Sequence, residues 1–205
     1  MLSRRSIARR LETVRDFERP TPALEQYLTP PEIAAHVCHL AALQGDFTDR
    51  IVLDLGAGTG MLALGASLCD PARVLAVEID RDALSVAREN ERRLDPPIPI
   101  EWIRGDVTHL PVRLDGATVL SNPPFGAQRG NRHLDRRFLE VSRDVAAVSY
   151  TIHNEGSQAF VEPFAADHGG EITHAFRAHI PIEHRFEFHS NERRTIDAEI
   201  FRIEW

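Results

Sequence analysis

The sequence predicts an α/β fold: a mixed seven-stranded sheet, mainly parallel, with helices on both faces and an antiparallel C-terminal strand. Three observations predict it. Short apolar runs alternate with helical patterns from residue 51 onward, and βαβ alternation of this kind builds parallel sheets covered on both sides. A glycine-rich turn, Gly56-Ala57-Gly58-Thr59-Gly60, joins the first run to the next helix. The segments Glu171–His179 and Thr195–Glu204 change character to polar–apolar alternation, which suits an antiparallel pair at one edge.

An amphipathic helix is expected over Ser3–Phe17, with Ile7, Leu11, Val14 and Phe17 on one face and Pro20 and Pro22 ending it. Thr29-Pro30-Pro31-Glu32 reads as the start of a second helix, with Thr29 as N-cap and proline in the first turn. That helix runs to about Gln44, with Ile33, Val37, Leu40 and Ala41 inward. Strands follow at 51–55, 73–78, 98–103, 117–121 and 145–151, and helices at 60–68, 81–93, 134–143 and 157–168. Asp95-Pro96-Pro97-Ile98-Pro99 is a stiff connector, so residues 1–205 are expected to form one domain, with 1–20 as a helical extension.

Composition narrows the function. A hydrophobic content of 42% is ordinary for a globular protein, no apolar run approaches the ~20 residues of a membrane span, and no signal-peptide core opens the chain. A cytoplasmic location is the default. Cys38 and Cys69 are too few for a disulfide framework or a zinc site, and the pair His36/His39 has no companion cysteine, so no metal is expected. All 24 basic residues are arginine, against 31 acids, giving a net charge of −7. That is the wrong sign for a nucleic-acid binder as a whole. Clusters run against the total: six arginines face three acids in residues 1–20, Arg193 and Arg194 are adjacent, and Arg129, Arg132, Arg136 and Arg137 crowd one loop and helix start beside His133 and Asp135. Such a group could hold phosphates on either side of a splayed-out base; the alternative is a solvated helix N-terminus.

Ile51–Leu55, the glycine turn and the helix from Met61 form a strand–loop–helix unit whose backbone a ligand can approach closely. A dinucleotide fingerprint needs Gly-x-Gly-x-x-Gly; here the third glycine comes one residue early, and Met61 takes its place. Asp54 sets a carboxylate beside the loop, awkward for a pyrophosphate but harmless to a cationic sulfonium amino acid, so S-adenosylmethionine fits better than NAD. The next strand ends in Glu78, suited to ribose hydroxyls, and the third leads to Asp106-Val107, suited to an adenine amine and ring. Each acid alone could be a solvated loop carboxylate, but three at consecutive strand ends form a pattern.

After the strand Ala117–Ser121 comes Asn122-Pro123-Pro124-Phe125. Two prolines remove two N–H donors and leave carbonyl acceptors; Asn122 adds a side-chain acceptor and Phe125 a flat face. This corner suits a planar group bearing an NH2, although Asn-Pro-Pro alone could be a rigid turn.

The order Asp54-x-Gly56-x-Gly58-x-Gly60, Glu78, Asp106 and Asn122-Pro-Pro-Phe resembles the class I S-adenosylmethionine-dependent amino-methyltransferases, with their Rossmann-like fold. Four further segments sharpen the match: Leu24-Glu25-Gln26-Tyr27-Leu28-Thr29-Pro30, Asn122-Pro-Pro-Phe-Gly126, Ala147-Val148-Ser149-Tyr150-Thr151-Ile152-His153, and Phe188-His189 ahead of Ile196-Asp197-Ala198-Glu199-Ile200. Together they resemble the small-subunit ribosomal RNA adenine-N6 methyltransferases, the methyltransferase-like-five group, from about residue 20 to the C-terminus. The resemblance implies cofactor contacts from Gln26, Thr29, Gly56, Thr59, Met61, Glu78, Asp106 and Val107, joined by Asp54, Gly58, Gly60 and Asn122 of the same motifs. It implies catalysis at Asn122, Pro123, Pro124 and Phe125, on an adenine N6 of ribosomal RNA. It also implies a small zinc-binding activator protein docked at the edge near the third strand, where Ile98–Ile103 with Trp102 is open to strand addition or covered by its own chain. Relatives with cysteine in the place of Thr59 differ mildly from this chain, and Glu78 lengthens the reach of the usual aspartate. Rival readings are a glutamine-N5 protein methyltransferase, a guanine-N2 RNA methyltransferase, and a noncatalytic RNA- or ribosome-binding module.

Overall fold

The computed structural model describes residues 2–124, 134–182 and 194–205; Phe125, Gly126, Arg129, Arg132, His133, Phe188, His189 and Arg193 therefore lie outside the described residues. Its elements run α1 (Arg4–Leu11), α2 (Pro31–Leu43), β1 (Ile51–Leu55), α3 (Met61–Ser67), β2 (Arg73–Glu78), α4 (Arg81–Leu94), β3 (Ile100–Arg104), β4 (Ala117–Ser121), α5 (Leu134–Val145), β5 (Ala146–Asn154), α6 (Gln158–Asp167), β6 (Glu171–Ile182) and β7 (Arg194–Glu204). The sheet order is β3-β2-β1-β4-β5-β7-β6. The first five strands are parallel, and β7 runs antiparallel to both β5 and β6. This is the seven-stranded mixed sheet the alternation predicts.

The apolar runs of β1 and β4 have a simple cause. Both faces of these strands are covered, so nearly every position is buried. Val52, Val74, Ala76, Leu120 and Ile152 face one side, where Ile7 and Leu11 of α1, Ile33 and Val37 of α2, and Leu62 of α3 pack on them. Leu53, Leu55, Leu75, Val77 and Val119 face the other side, against Phe138 of α5. Leu139, Val161, Phe164, Phe201 and Ile203 continue that layer over the C-terminal strands.

Two expectations at the N-terminus need correction. The first helix ends at Leu11 rather than Phe17: Thr13 Oγ1 donates to Arg10 O, and both backbone polar groups of Arg15 are taken by the Asn90 side chain, so neither can continue an i→i−4 ladder. Thr29 does not cap α2. Pro30 holds the N-cap position without a side-chain bond, and the Thr29 hydroxyl turns toward Asn122 instead.

Because β2 and β4 lie on opposite sides of β1, the chain direction across the sheet reverses there. A crevice opens at such a switch point, outside the C-terminal ends of the strands.

Candidate active site

A cavity of about 300 Å³ occupies that crevice. Its floor is the glycine turn. Gly56, Gly58 and Gly60 all take positive φ, of 71°, 55° and 94°, values that only glycine adopts without strain. The turn is also covered closely: a Cβ at Gly56 would stand 3.0 Å from the Phe138 ring, and one at Gly58 2.8 Å from the Phe17 ring. Gly60 serves as the N-cap of α3 and does not line the cavity; Trp102 sits 2.7 Å from where its Cβ would be. Trp102 thus turns inward beneath the turn, rather than marking a free edge, and its indole N–H donates to Glu91.

The three strand-end acids meet in this one cavity, as their positions in the sequence imply. Asp54 is buried: its Oδ2 accepts the Ala63 N–H at 2.8 Å, while Oδ1 has no partner among the described residues. Burial pushes its carboxyl up to about 7, with the Ala63 bond opposing and Glu78 adding to the rise. Glu78 accepts from Gly58 N at 2.7 Å and Asp80 N at 2.8 Å; burial again raises its carboxyl, against those bonds. It therefore shapes the glycine turn as well as facing the cavity, and its remaining lone pairs are the ones open to a diol. Asp106 is half-exposed and caps a short 3-10 turn, Val107–His109, through bonds from Thr108 that hold its carboxyl below the ordinary range. Val107 is buried beside it. Thr59 and Met61 line the cavity as well.

The wall opposite the sheet comes from residues 17–29. Gln26 Nε2 donates to Asp80 at 2.8 Å and its Oε1 accepts Thr21 N–H, so it ties this segment to the end of β2. Thr29 Oγ1 accepts from Asn122 Nδ2 at 2.9 Å. That bond leaves Asn122 Oδ1 buried and without a partner among the described residues. Pro124 lines the cavity beside Asn122; Pro123 does not. Beneath this corner, Ser121 donates to Thr151, whose hydroxyl meets buried His153 Nε2 at 2.8 Å, and burial lowers that imidazole to about 4. The corner stands on a neutral, hydrogen-bonded floor.

Of the arginine cluster, the structure describes Arg136 and Arg137. Both are exposed on α5 and both pair with Glu140, at 3.2 and 2.7 Å, an acid the sequence reading did not weigh. Exposed pairs contribute at most about 1 kcal/mol, so a phosphate could displace Glu140. Phe17, Tyr27 and Phe138 also line the cavity and were not foreseen as site residues; only the fold brings them there.

The family described as "Methyltransferase small domain" matches residues 36–149, more than half of the chain. The chain belongs to that family. It is a class I S-adenosylmethionine-dependent methyltransferase, and its structure is similar over its full length to the crystal structure of the Pyrococcus horikoshii protein PH1948, with a TM-score of 0.88, 35% identity and 98% of that chain covered. Its sequence is 31% identical over 208 residues to the rRNA N(6)-adenosine-methyltransferase Mettl5 of Drosophila melanogaster, covering 99% of this chain and 97% of that one. A release factor glutamine methyltransferase of Burkholderia pseudomallei is 38% identical, but over 143 residues, 62% of this chain.

The residues of this methyltransferase fit its cofactor. A glycine floor admits close approach of a ligand to the backbone, and Asp54 Oδ1, without a partner among the described residues, is an acceptor that an ammonium or other cationic donor would meet and would favour in its ionised form.

Proposed function

We propose that this methyltransferase places a methyl group on the N6 amine of an adenine in small-subunit ribosomal RNA. One observation carries the reading: Asn122 spends an amide N–H on Thr29 and keeps Oδ1 buried, with no partner among the described residues, in the lining of the cofactor cavity. A buried acceptor without a donor is costly, of order 1–3 kcal/mol, and an amine donor relieves that cost. The full-length relationship to Mettl5, set against the partial one to the glutamine methyltransferase, favours adenine over a protein amide.

Adenine N6 is a weak nucleophile because its lone pair is delocalised into the ring. Asn122 Oδ1 accepts one of its N–H bonds and the Pro123 carbonyl the other, which favours a pyramidal nitrogen and turns its lone pair toward the cofactor. Phe125 stacks on the base, and Pro124 stiffens the turn. When bound, S-adenosylmethionine supplies an activated methyl on a positively charged sulfur. Asp54 and Glu78 would hold the amino-acid and ribose ends and Asp106 and Val107 the adenine; Gln26, Thr29, Gly56, Gly58, Thr59 and Met61 complete the pocket, with Gly60 behind them as the N-cap of α3. No side chain acts as a strong base, since the amine sheds its proton to water once alkylated. Rate enhancement is positioning and electrostatics, up to roughly 7–11 kcal/mol for positioning alone. The base must be unpaired or flipped to enter, with Arg129, Arg132, Arg136 and Arg137 on the flanking phosphates.

The same reading treats residues 1–205 as one domain working in the cytoplasm. Among the described residues no helix is long and apolar enough to cross a membrane. It includes a small zinc-binding activator added at β3, which ends the sheet order; there Glu91 accepts the Ile100 N–H and the Trp102 indole N–H.

The deciding experiment incubates the protein, with and without that activator, with labelled S-adenosylmethionine and small-subunit RNA, then identifies the nucleosides by mass spectrometry. The expected product is N6-methyladenosine, lost by 100-fold or more in Asn122→Ala, on the order of one oxyanion-type donor, with cofactor binding retained. N2-methylguanosine, or label in protein glutamine, would replace the substrate; full turnover in Asn122→Ala would remove the assigned role.

A further inference from the structure

Asn90 belongs to no motif of the site and does not line the cavity, yet it is fully buried on the inner face of α4. Its carboxamide is used completely. Oδ1 accepts the Arg15 N–H at 2.8 Å, and Nδ2 donates to Arg15 O at 2.9 Å and to Thr59 O at 3.0 Å. The orientation is fixed by its partners, because a backbone N–H can only donate and a carbonyl can only accept. One side chain therefore clasps two separate pieces of the cofactor pocket. Thr59 lies in the glycine turn; Arg15 begins the segment that crosses it.

That segment, residues 12–29, is a strap. Phe17 lies on Gly58, and Gln26 and Thr29 reach Asp80 and Asn122 on the far side of the cavity. The strap is thus joined to the pocket at three places, the glycine turn, the end of β2 and the Asn-Pro-Pro corner, and Asn90 makes the first of these joints. Without its side chain, three backbone groups lose their partners at once, the buried Thr59 O and the part-buried N–H and C=O of Arg15.

We propose that Asn90 is a positioning residue that latches the N-terminal strap to the glycine turn, so that the strap and S-adenosylmethionine order together. Asn90 contacts neither reactant. It lowers the cost of forming the pocket by holding two of its walls at the distance the cofactor requires. The inference rests on the cofactor half of the proposed function and is independent of which base is methylated.

The test uses the full chain and S-adenosylhomocysteine as the probe. In the parent protein, saturating probe is expected to slow amide exchange across residues 12–29. In Asn90→Ala the KM for S-adenosylmethionine is expected to rise about tenfold, a change equal to losing one well-made buried hydrogen bond. The kcat at saturating cofactor should stay within about twofold, the signature of lost binding rather than lost chemistry. Exchange should quicken in 12–29 while β1 and β4 keep their protection. Probe binding that leaves exchange in 12–29 unchanged overturns the latch. So does an affinity loss in Asn90→Ala matched by equal loss of protection in β1 and β4, since that is simple unfolding. Failure of the parent to bind the probe at all would instead overturn the cofactor assignment.

Discussion

Two aspartates in this protein are equally hidden and opposite in circumstance. Asp46, in the loop after α2, accepts from Tyr150 Oη at 2.6 Å and from Arg202 Nε and Nη2 at 2.8 and 2.9 Å. Its charge is matched by a guanidinium and its lone pairs are spoken for. Asp54, at the other end of the sheet, has one backbone donor and one bare oxygen, and burial raises it to about 7. Burial of a carboxylate is costly unless it is paired. The first group meets that demand within the fold and ties β7 and β5 to the chain before β1. The second leaves it for a ligand to meet. Among the described residues, four buried side-chain atoms are left over; Asp54 Oδ1 and Asn122 Oδ1 belong to residues that line the cavity, while His39 Nδ1 and Arg50 Nη1 do not, so a leftover polar atom marks the site only where a cavity meets it.

The largest expected effect breaks the satisfied end. Arg202→Met should lower unfolding free energy by about 3–5 kcal/mol, because it strands the Asp46 charge, and should leave S-adenosylhomocysteine affinity unchanged. Urea titration and calorimetric binding read the two quantities separately. The double variant Asp46→Asn/Arg202→Met should recover part of the loss, since no unpaired charge remains. A loss under about 1 kcal/mol in Arg202→Met would mean that Asp46 is no better satisfied than Asp54.

The next effect sharpens the unsatisfied end through pH. The folded-state value of Asp54 lies above the ordinary unfolded value near 4, so the folded protein holds the extra proton. Its contribution to stability is therefore a penalty: absent below about pH 4, growing as pH rises toward about 7, and level above that. Ligand binding has the opposite sign. An ammonium prefers the ionised carboxylate, so S-adenosylhomocysteine affinity should rise with pH and flatten above about 7, approaching tenfold per unit below it. Asp54→Asn should flatten both slopes, leaving only the share of the raised Glu78 carboxyl, and weaken binding at pH 8. Affinity that does not change between pH 5.5 and 8 would show that no cation meets Asp54.

Much of this was legible in the sequence because period and punctuation are local. Ile51–Leu55 and Ala117–Ser121 announce doubly covered strands by their unbroken apolar character, and the glycines announce their turn by spacing. The strand-end acids were legible for the same reason, since parallel strands deliver their C-terminal ends to one edge. What was not legible depends on contacts distant in the chain. Arg15 and Asn90 are 75 residues apart, and nothing in the pattern Ile7, Leu11, Val14, Phe17 signals that a side chain of α4 will take the Arg15 backbone and end the helix. Asp46 and Arg202 stand 156 residues apart, and no local pattern in the sequence pairs them. Glu140 was overlooked beside Arg136 and Arg137 because helical neighbours three and four residues on lay beyond the cluster as it was read.

The smallest effect lies where the two kinds of polar group touch. Thr29 Oγ1 is satisfied by Asn122 Nδ2, and by accepting that N–H it decides which end of the amide faces the substrate. Thr29→Val keeps the shape of the side chain and removes the acceptor, so the Asn122 amide becomes free to turn and present its NH2 where an acceptor is needed. The expected loss is about 1 kcal/mol of transition-state stabilisation, about fivefold in kcat, with KM for the cofactor almost unchanged. Thr29→Ser, which restores the hydroxyl, should restore most of the rate. A Thr29→Val variant with normal kcat would show that the main chain around Pro123 alone orients Asn122, and that Thr29 belongs with the satisfied structural groups rather than with the site.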